Sequence, residues 1–315
     1  MAEQKIIAVV GATGSQGGGL ARAILGDPDA EFRVRALTRD PDSERAQELA
    51  RLGAEVAEAD MDDQSSLVKA FEGAYGAFLV TDFWEHGDPE REYAQARHLA
   101  EAAKAAGIKH VVWSTLEDTR ESIPVEDDRM PTLMGRYNVP HFDVKGAANA
   151  LFAEAGVPTT YLQTTFYWEN FLESFQPKHQ DDGSMVLALP MADSRLAGIA
   201  VEDIGRTAYG IFKRGEPLVG ETVSIAGEHL TGEEYAAAFA ELLGKPVDYY
   251  PVPFDDFRAA GFPGAEEMGN MFQYYAEFDD EFTGRRDLGA VRELNPQLKT
   301  FRQWLAEHED AFVGT

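Results

Sequence analysis

A glycine-rich stretch near the start of this 315-residue chain constrains its fold most. The apolar run Ile6–Val10 is followed by Gly11, Gly14 and Gly17, and a helix-like pattern runs from Gly18 to Leu25. A strand, a glycine turn and a helix in this order let the backbone approach a pyrophosphate, which also meets the free N–H groups at the helix start. The stretch therefore predicts a dinucleotide site with these binding residues: Gly11, Thr13, Gly14, Ser15, Gln16 and Gly17.

The three glycines have different expected roles. We expect Gly11 to permit the tight turn after the strand, because glycine tolerates positive φ angles. We expect Gly14 to leave space where phosphate oxygens approach the backbone, and Gly17 to let the helix pack close to the strand.

Strand-like and helix-like segments alternate through the first half of the chain. After the first strand, short apolar or alternating runs predict strands at these positions: Phe32–Thr38, Glu55–Ala57, Ala77–Val80, His110–Ser114 and Pro158–Leu162. Strands that are separated by helices form parallel sheets with right-handed crossovers. We therefore predict an α/β fold, a Rossmann-type doubly wound parallel sheet with a smaller C-terminal α/β lobe.

The pattern changes after the last of these strands. Aromatic residues are dense in 164–171, and helical patterns dominate toward the C-terminus. We predict a nucleotide-binding Rossmann domain at 1–163, completed by parts of 190–226. A smaller, mostly helical lobe at 164–315, interleaved with the first domain, would serve the substrate or regulation.

Two segments are candidate covers of the site. Residues 116–139 form an irregular insertion that is long enough to be a functional lid or a disordered loop. Phe83 and Trp84 follow a predicted strand end, and they either cover the cofactor or pack a loop.

The composition excludes several kinds of partner and site. Lys and Arg total 28 against 55 Asp and Glu, and the net charge of −27 argues against direct binding of nucleic acid or of an anionic membrane. The chain has no Cys, which excludes disulfides and thiolate chemistry, and its seven His are scattered, so we expect no metal site. No apolar run approaches the ~20 residues of a membrane span, and the N-terminus leads directly into the first strand, which favours a cytoplasmic protein.

The ends of the predicted strands indicate which nucleotide binds. Arg39 follows the second strand, where a guanidinium can meet a 2′-phosphate, so we expect NADP(H) to be preferred over NAD(H). Asp40 leaves the alternative open, because a carboxylate there can instead accept from a ribose 2′-OH. Asp60 is the candidate contact of the adenine amino group, and Thr81 of the ribose or pyrophosphate.

Segments spread along the chain carry a resemblance to a known family. They are Gly11–Gly17, Thr38-Arg39, His141-x-x-x-Lys145, Phe166–Asn170 and Gly261–Ala265. Together they resemble the NmrA-like family of atypical short-chain dehydrogenases over nearly the whole chain, and most of all its NADPH-sensing branch. The resemblance implies a Rossmann-type domain with bound NADP and a smaller C-terminal lobe. It also implies that Phe166 and Asn170 lie at the nicotinamide end of the cofactor.

The resemblance includes a departure from the catalytic pair of the wider superfamily, Tyr-x-x-x-Lys. Lys145 matches the lysine, which in the superfamily binds the nicotinamide ribose and lowers the pKa of the tyrosine. His141 stands in place of that tyrosine, and it either acts as an acid or base or only begins the helix. Tyr167, Trp168 and Tyr161 are alternative proton donors, although each is more often a packing aromatic.

Two functions from different classes follow. The first is a regulatory NADP(H) binder that senses the redox state and acts on a protein partner, which the missing catalytic tyrosine favours. The second is an NADPH-dependent reductase of a quinone, imine or similar small planar acceptor, which the aromatic residues 164–171 favour. The sequence leaves open whether the chain forms a homodimer.

Overall fold

The computed structural model describes residues 4–29, 31–180 and 183–312. Its strands are β1 (Lys5–Val9), β2 (Phe32–Thr38), β3 (Glu55–Glu58), β4 (Gly76–Leu79), β5 (His110–Thr115), β6 (Thr159–Gln163), β7 (Phe166–Tyr167), β8 (Lys178–His179), β9 (Met185–Leu189), β10 (Arg195–Ile199), β11 (Thr222–Ser224), β12 (Glu228–Thr231) and β13 (Val247–Pro251). Its α-helices are α1 (Ser15–Leu25), α2 (Glu44–Arg51), α3 (Gln64–Phe71), α4 (Pro89–Ala106), α5 (Pro140–Ala155), α6 (Asn170–Glu173), α7 (Val201–Arg214), α8 (Gly232–Leu243), α9 (Phe254–Arg258), α10 (Ala265–Glu277), α11 (Asp279–Gly284), α12 (Leu288–Leu294) and α13 (Phe301–Glu307). Short 3-10 turns lie at Phe83–Glu85, Thr119–Glu121, Glu216–Leu218 and Glu309–Ala311.

The large sheet is parallel and doubly wound. Within the described ranges it has seven strands in the order β11-β6-β5-β4-β1-β2-β3, and every neighbouring pair is parallel. The chain runs outward from β1 to β3, returns to the centre at β4 and continues outward on the other side. Ligands of such sheets bind outside the carboxyl ends of the strands where the direction changes, here between β1 and β4. The predicted α/β class with a Rossmann-type sheet is confirmed.

The start of α1 differs from the prediction. The helix begins at Ser15 and not at Gly18, so the glycines that weaken helix propensity lie inside its first turns. Tertiary packing explains their presence there. A Cβ on Gly19 would lie 3.1 Å from the Cα of Glu202, and a Cβ on Gly205 would collide with the backbone of α1, so α1 and α7 are in close contact.

The described residues form three hydrophobic cores around the strands and helices. Two of them lie on opposite faces of the large sheet, because alternate residues of β1 and β4 belong to each. The third, rich in aromatic residues, packs around two three-stranded sheets, β12-β10-β7 and β13-β9-β8. The insertion 116–139 contributes Ile123 and Met130 to this third core. No helix in the described part of the chain has both the length and the apolar character needed to cross a membrane.

Candidate functional site

A cleft of about 810 Å³ opens at the carboxyl ends of β1 and β4. Sites for small molecules and cofactors span roughly 300–1,000 Å³, so the cleft is of suitable size. The predicted site residues that line it are Gly11, Thr13, Gly14, Ser15, Gln16, Gly17, Arg39, Thr81, His141, Lys145, Phe166, Tyr167 and Asn170. The fold thus brings together residues that are up to about half the chain apart.

The glycine turn brings α1 against the end of β1. Gly11 has a φ of +65°, in the left-handed region that glycine favours, and its carbonyl accepts a hydrogen bond from the Gly14 N–H at 2.9 Å. A Cβ on Gly17 would lie 2.5 Å from the Gly11 carbonyl oxygen. The expected conformational roles of Gly11 and Gly17 are therefore confirmed. Because α1 begins at Ser15, its first N–H groups lack partners within the helix, and they belong to residues that line the cleft.

Gln16 connects the start of α1 to Tyr167, which lines the cleft, and to Ser114 in β5. Its Nε2 donates to the Tyr167 hydroxyl at 2.6 Å, and its Oε1 accepts from the Ser114 Oγ at 2.7 Å. Burial raises the pKa of Tyr167, while hydrogen bonds with Thr164 and Gln16 act in the opposite direction. The phenol therefore stays protonated at neutral pH and can donate a hydrogen bond.

Lys145 is bonded to groups behind the cleft wall. Its Nζ lies 2.7 Å from Glu92 Oε1, and it donates to the carbonyl and hydroxyl oxygens of Thr81 at 2.7 and 2.8 Å. Two of the three N–H donors of the ammonium group are thus bonded to Thr81, and the Glu92 carboxylate pairs with its charge. The ribose contact predicted for Lys145 stays a prediction.

His141 lies in the first turn of α5 and is tied to α10. Its Nδ1 is 2.6 Å from Glu267 Oε1, and its backbone N–H donates to the same oxygen at 2.8 Å. The Trp84 ring, which is half-exposed on the cleft wall, has its centroid 5.0 Å from that of His141. Both Phe83 and Trp84 line the cleft; Phe83 is buried, whereas Trp84 forms part of the rim.

Two arginines bring positive charge to the cleft near the end of β2. The Arg39 guanidinium, whose side chain is 59% exposed, pairs with Glu85 at 2.5 Å. Arg45, in the first turn of α2, donates to the Thr13 carbonyl at 3.4 Å and also lines the cleft. A phosphate placed there would meet two guanidinium groups, one of which is already paired.

Asp60 is a predicted site residue that does not line the cleft, and neither do the alternative proton donors Tyr161 and Trp168. The Asp60 Oδ1 accepts from the Asp62 N–H at 2.9 Å, in the turn that leads into α3. Its neighbours Ala59 and Met61 line the cleft instead. The adenine contact of Asp60 stays a prediction.

A further part of the wall is apolar and rich in aromatic residues. It is formed by Leu116, Phe142, Phe166, Phe175, Met268, Met271 and Tyr275. Phe166 and Phe175 pack with ring centroids 5.8 Å apart, and Asn170 begins α6 beside them. Aromatic rings and flexible Met side chains suit a flat apolar ligand.

Buried polar contacts fix the insertion 116–139 in place. The Asp143 carboxylate accepts from the Asn138 N–H at 2.8 Å. Arg286 and Glu117 form an ion pair at 2.8 Å with side chains 0% and 4% exposed. These contacts favour a fixed wall over a mobile lid, because opening the segment would expose or unpair buried charges.

Among the charged residues at or behind the cleft that the sequence did not single out are Arg45, Glu85, Glu92 and Glu267. Arg45 follows the end of β2 closely, so its position gave a usable signal. The acidic residues gave none, since Glu267 lies 126 residues from its partner His141. Across residues 4–29, 31–180 and 183–312, no group of three or more His, Asp or Glu side chains is arranged to hold a metal ion.

Comparisons with known proteins agree with this architecture. Residues 3–305 match the model of the NmrA-like family. The NmrA-like family domain-containing oxidoreductase FrzB of Cladobotryum sp is 30% identical over 294 residues, which cover 85% of this chain and 83% of FrzB. NmrA, a negative transcriptional regulator solved with NADP, aligns with a TM-score of 0.78 and 24% identity over 98% of this chain and 97% of its own. It has also been solved with NAD, with a TM-score of 0.79 and 24% identity over 98% and 97% of the two chains.

The NADPH-dependent quinone oxidoreductase QOR2 of Escherichia coli, solved with NADPH, has the same fold. Its TM-score is 0.73 at 24% identity, over 96% of this chain and 99% of its own. The family predicted from the ordered motifs is confirmed by a match that spans nearly all of the chain. The chain belongs to the NmrA-like family.

Proposed function

We propose that the cleft binds NADP(H), with the pyrophosphate at the glycine turn and the start of α1. The close approach at Gly17 and the unpaired N–H groups of the first helical turn fit this group. Arg39 and Arg45 fit a 2′-phosphate, because guanidinium groups bind phosphate through paired N–H donors. NmrA and QOR2, which share the fold, were solved with such nucleotides.

We also propose that two parts of the chain have different binding roles. Residues 1–163, completed by parts of 190–226 such as β11, would bind the nucleotide. Residues 164–315 would supply the wall that contacts a substrate or a regulatory partner. Phe166 and Met271 line the same cleft as the glycine turn, which supports this division.

The Arg39–Glu85 pair provides a test of the NADP(H) preference. Arg39→Ala is expected to weaken NADPH binding much more than NADH binding, because only NADPH carries the 2′-phosphate. Glu85→Gln releases the guanidinium and is expected to tighten NADPH binding by up to about 5-fold, since exposed ion pairs contribute ~0.2–1 kcal/mol. Fluorescence titrations with both nucleotides measure these changes.

Arg91→Ala is the matched control for this test. Arg91 is an exposed arginine whose partner Asp62, like Arg91 itself, does not line the cleft. The Arg91→Ala variant should leave the affinities for NADPH and NADH unchanged. Equal losses of NADPH and NADH affinity in Arg39→Ala would contradict phosphate recognition by Arg39.

We further propose that the chain reduces a quinone or another small planar acceptor. The observation that carries this proposal is that His141 and an apolar aromatic wall share one cleft with the glycine turn. A bound reduced nicotinamide would supply a hydride. Phe166 and its neighbours would orient a flat acceptor and exclude water, while His141 or Tyr167 would hold the proton that the acceptor needs. Lys145 would add a fixed positive charge near a developing anion.

A regulatory NADP(H) binder is the second candidate function. It is favoured by the state of Lys145, which donates two hydrogen bonds to Thr81 and forms an ion pair with the buried Glu92. It is also favoured by the absence of a tyrosine at position 141. The partner would be a regulatory protein or a second copy of the chain, and NmrA is itself described as a transcriptional regulator.

Turnover of NADPH with a panel of quinones and imines separates the two candidates. Loss of NADPH absorbance is expected with at least one acceptor, and Lys145→Ala is expected to abolish it. His141→Ala should reduce turnover by about 100-fold or more if the imidazole is the proton donor. Tight NADPH binding without turnover of any acceptor would contradict the reductase. A regulator would then show different proteolysis or oligomeric state with NADPH and with NADP+.

A further inference from the structure

Glu267 contacts His141 twice through one carboxylate oxygen. The oxygen is 2.6 Å from Nδ1 and accepts the backbone N–H at 2.8 Å. The two side chains are 8% and 10% exposed, so water competes little for these bonds. A carboxylate only accepts, so Nδ1 carries a proton. Within the described residues, Nε2 has no hydrogen-bond partner, and His141 lines the cleft.

The His141 ring lies in the first turn of α5 among the aromatic rings of Phe83, Trp84 and Phe142. Within the described residues, Glu267 is the group that hydrogen-bonds to this ring. Because the bond made by one ring nitrogen sets which nitrogen carries the proton, Glu267 determines the tautomer of His141.

We propose that Glu267 is a positioning residue, which fixes the proton on His141 Nδ1 so that Nε2–H donates a proton to the reduced acceptor. This inference rests on the reductase function proposed above. A hydride from the reduced nicotinamide forms a bond to the acceptor and oxidises the nicotinamide, and a carbonyl oxygen of the acceptor takes the negative charge. The Nε2–H bond of the imidazolium breaks as an O–H bond forms. The neutral imidazole then regains its proton from solvent.

Glu267→Gln separates this role from simple capping of α5. Glutamine keeps an oxygen that can accept the His141 N–H, but it lacks the negative charge. We expect kcat to fall by about 10-fold or more, with KM and NADPH affinity nearly unchanged. Glu266→Gln is the matched control, because Glu266 is the exposed neighbour in α10, and its kcat should equal that of the wild type. An unchanged kcat in Glu267→Gln would show that Glu267 only caps the helix.

Proton NMR of the cofactor-free protein gives a second measurement that needs no turnover. The wild type and Glu266→Gln are expected to show a downfield Nδ1 proton resonance. The resonance should be absent in His141→Ala and shifted upfield in Glu267→Gln. A His141 ring protonated only at Nε2 would overturn the proposal.

Chemical rescue covers the case in which Glu267→Gln does not fold. Added imidazole is expected to restore part of the turnover of His141→Ala, and a lack of rescue would overturn the donor role of His141. A failure of the reductase proposal can be distinguished from a failure of the role proposed for Glu267. The downfield resonance without turnover of any acceptor contradicts the reductase itself, whereas turnover without the resonance contradicts the role of Glu267.

Discussion

Gly17→Ala is expected to lower the free energy of unfolding and to weaken NADPH binding strongly. Alanine at a helical glycine normally stabilises by about 1 kcal/mol. Here the new Cβ would lie 2.5 Å from the Gly11 carbonyl oxygen and 2.7 Å from the Val10 carbonyl oxygen. Backbone atoms cannot rotate away as a side chain can, so the strain of about 1–3 kcal/mol displaces the turn. Since 1.4 kcal/mol is tenfold in affinity, we expect binding to weaken by about 10- to 100-fold.

Two further glycines make this prediction specific. Gly284→Ala is the control, because a Cβ there meets nothing within 4 Å, and both properties should stay unchanged or improve slightly. Gly14→Ala places a Cβ 3.3 Å from the Gly11 oxygen, a tight contact that requires a backbone shift of only a few tenths of an ångström. It should therefore lose less stability than Gly17→Ala, and it should lose nucleotide affinity if phosphate approaches this residue. Denaturant unfolding and NADPH titration measure all three variants, and a Gly17→Ala protein of wild-type stability would contradict the packing argument.

Lys145→Met is expected to destabilise the protein by about 3–5 kcal/mol, because it leaves the Glu92 carboxylate buried without its cation. Glu92 is 1% exposed, and Lys145 is its partner at 2.7 Å. NADPH binding should also fall if Lys145 contacts the ribose. Denaturant unfolding and nucleotide titration measure the two effects separately.

A double variant separates the structural role of Lys145 from its role in binding. Lys145→Met with Glu92→Gln removes both charges and should recover most of the lost stability, since replaced buried pairs are often nearly neutral. If Lys145 binds the ribose, NADPH affinity should stay low in this variant. Wild-type affinity would assign Lys145 a purely structural role. Arg302→Met, which breaks an exposed pair with Glu241, is the control and should cost less than about 1 kcal/mol.

The sheet could be predicted from the sequence because its signals are local. β2 occupies the predicted Phe32–Thr38, and the alternation of strands with helices sufficed to predict a parallel sheet. The start of α1 could not be predicted in this way. The helix-like pattern indicated a start at Gly18, but the helix begins at Ser15, where Gly17 packs against the β1 turn, and Gly19 packs against α7. That contact joins residues far apart in the chain.

The cleft was predictable only in part, for a related reason. Residues that follow strands, such as Thr81 and Phe166, line it because parallel strands end at one edge. The acidic partners of Lys145 and His141 lie on other elements. Glu92 forms an ion pair with Lys145, and Glu267 fixes a tautomer of His141, yet neither has a distinguishing sequence context. Such pairs become visible only once the helices are packed.

The place of β11 in the large sheet determines when this site can form during synthesis. β11 pairs with β6 and ends at residue 224 of 315, after α7 has been made. Until β11 is made the edge of β6 is open, and until α7 is made Gly19 of α1 lacks the contact with Gly205. A ribosome-bound chain that has just completed β6 therefore presents an unpaired strand to chaperones or to other chains. The cleft is therefore completed late in translation, long after its glycine turn has been made.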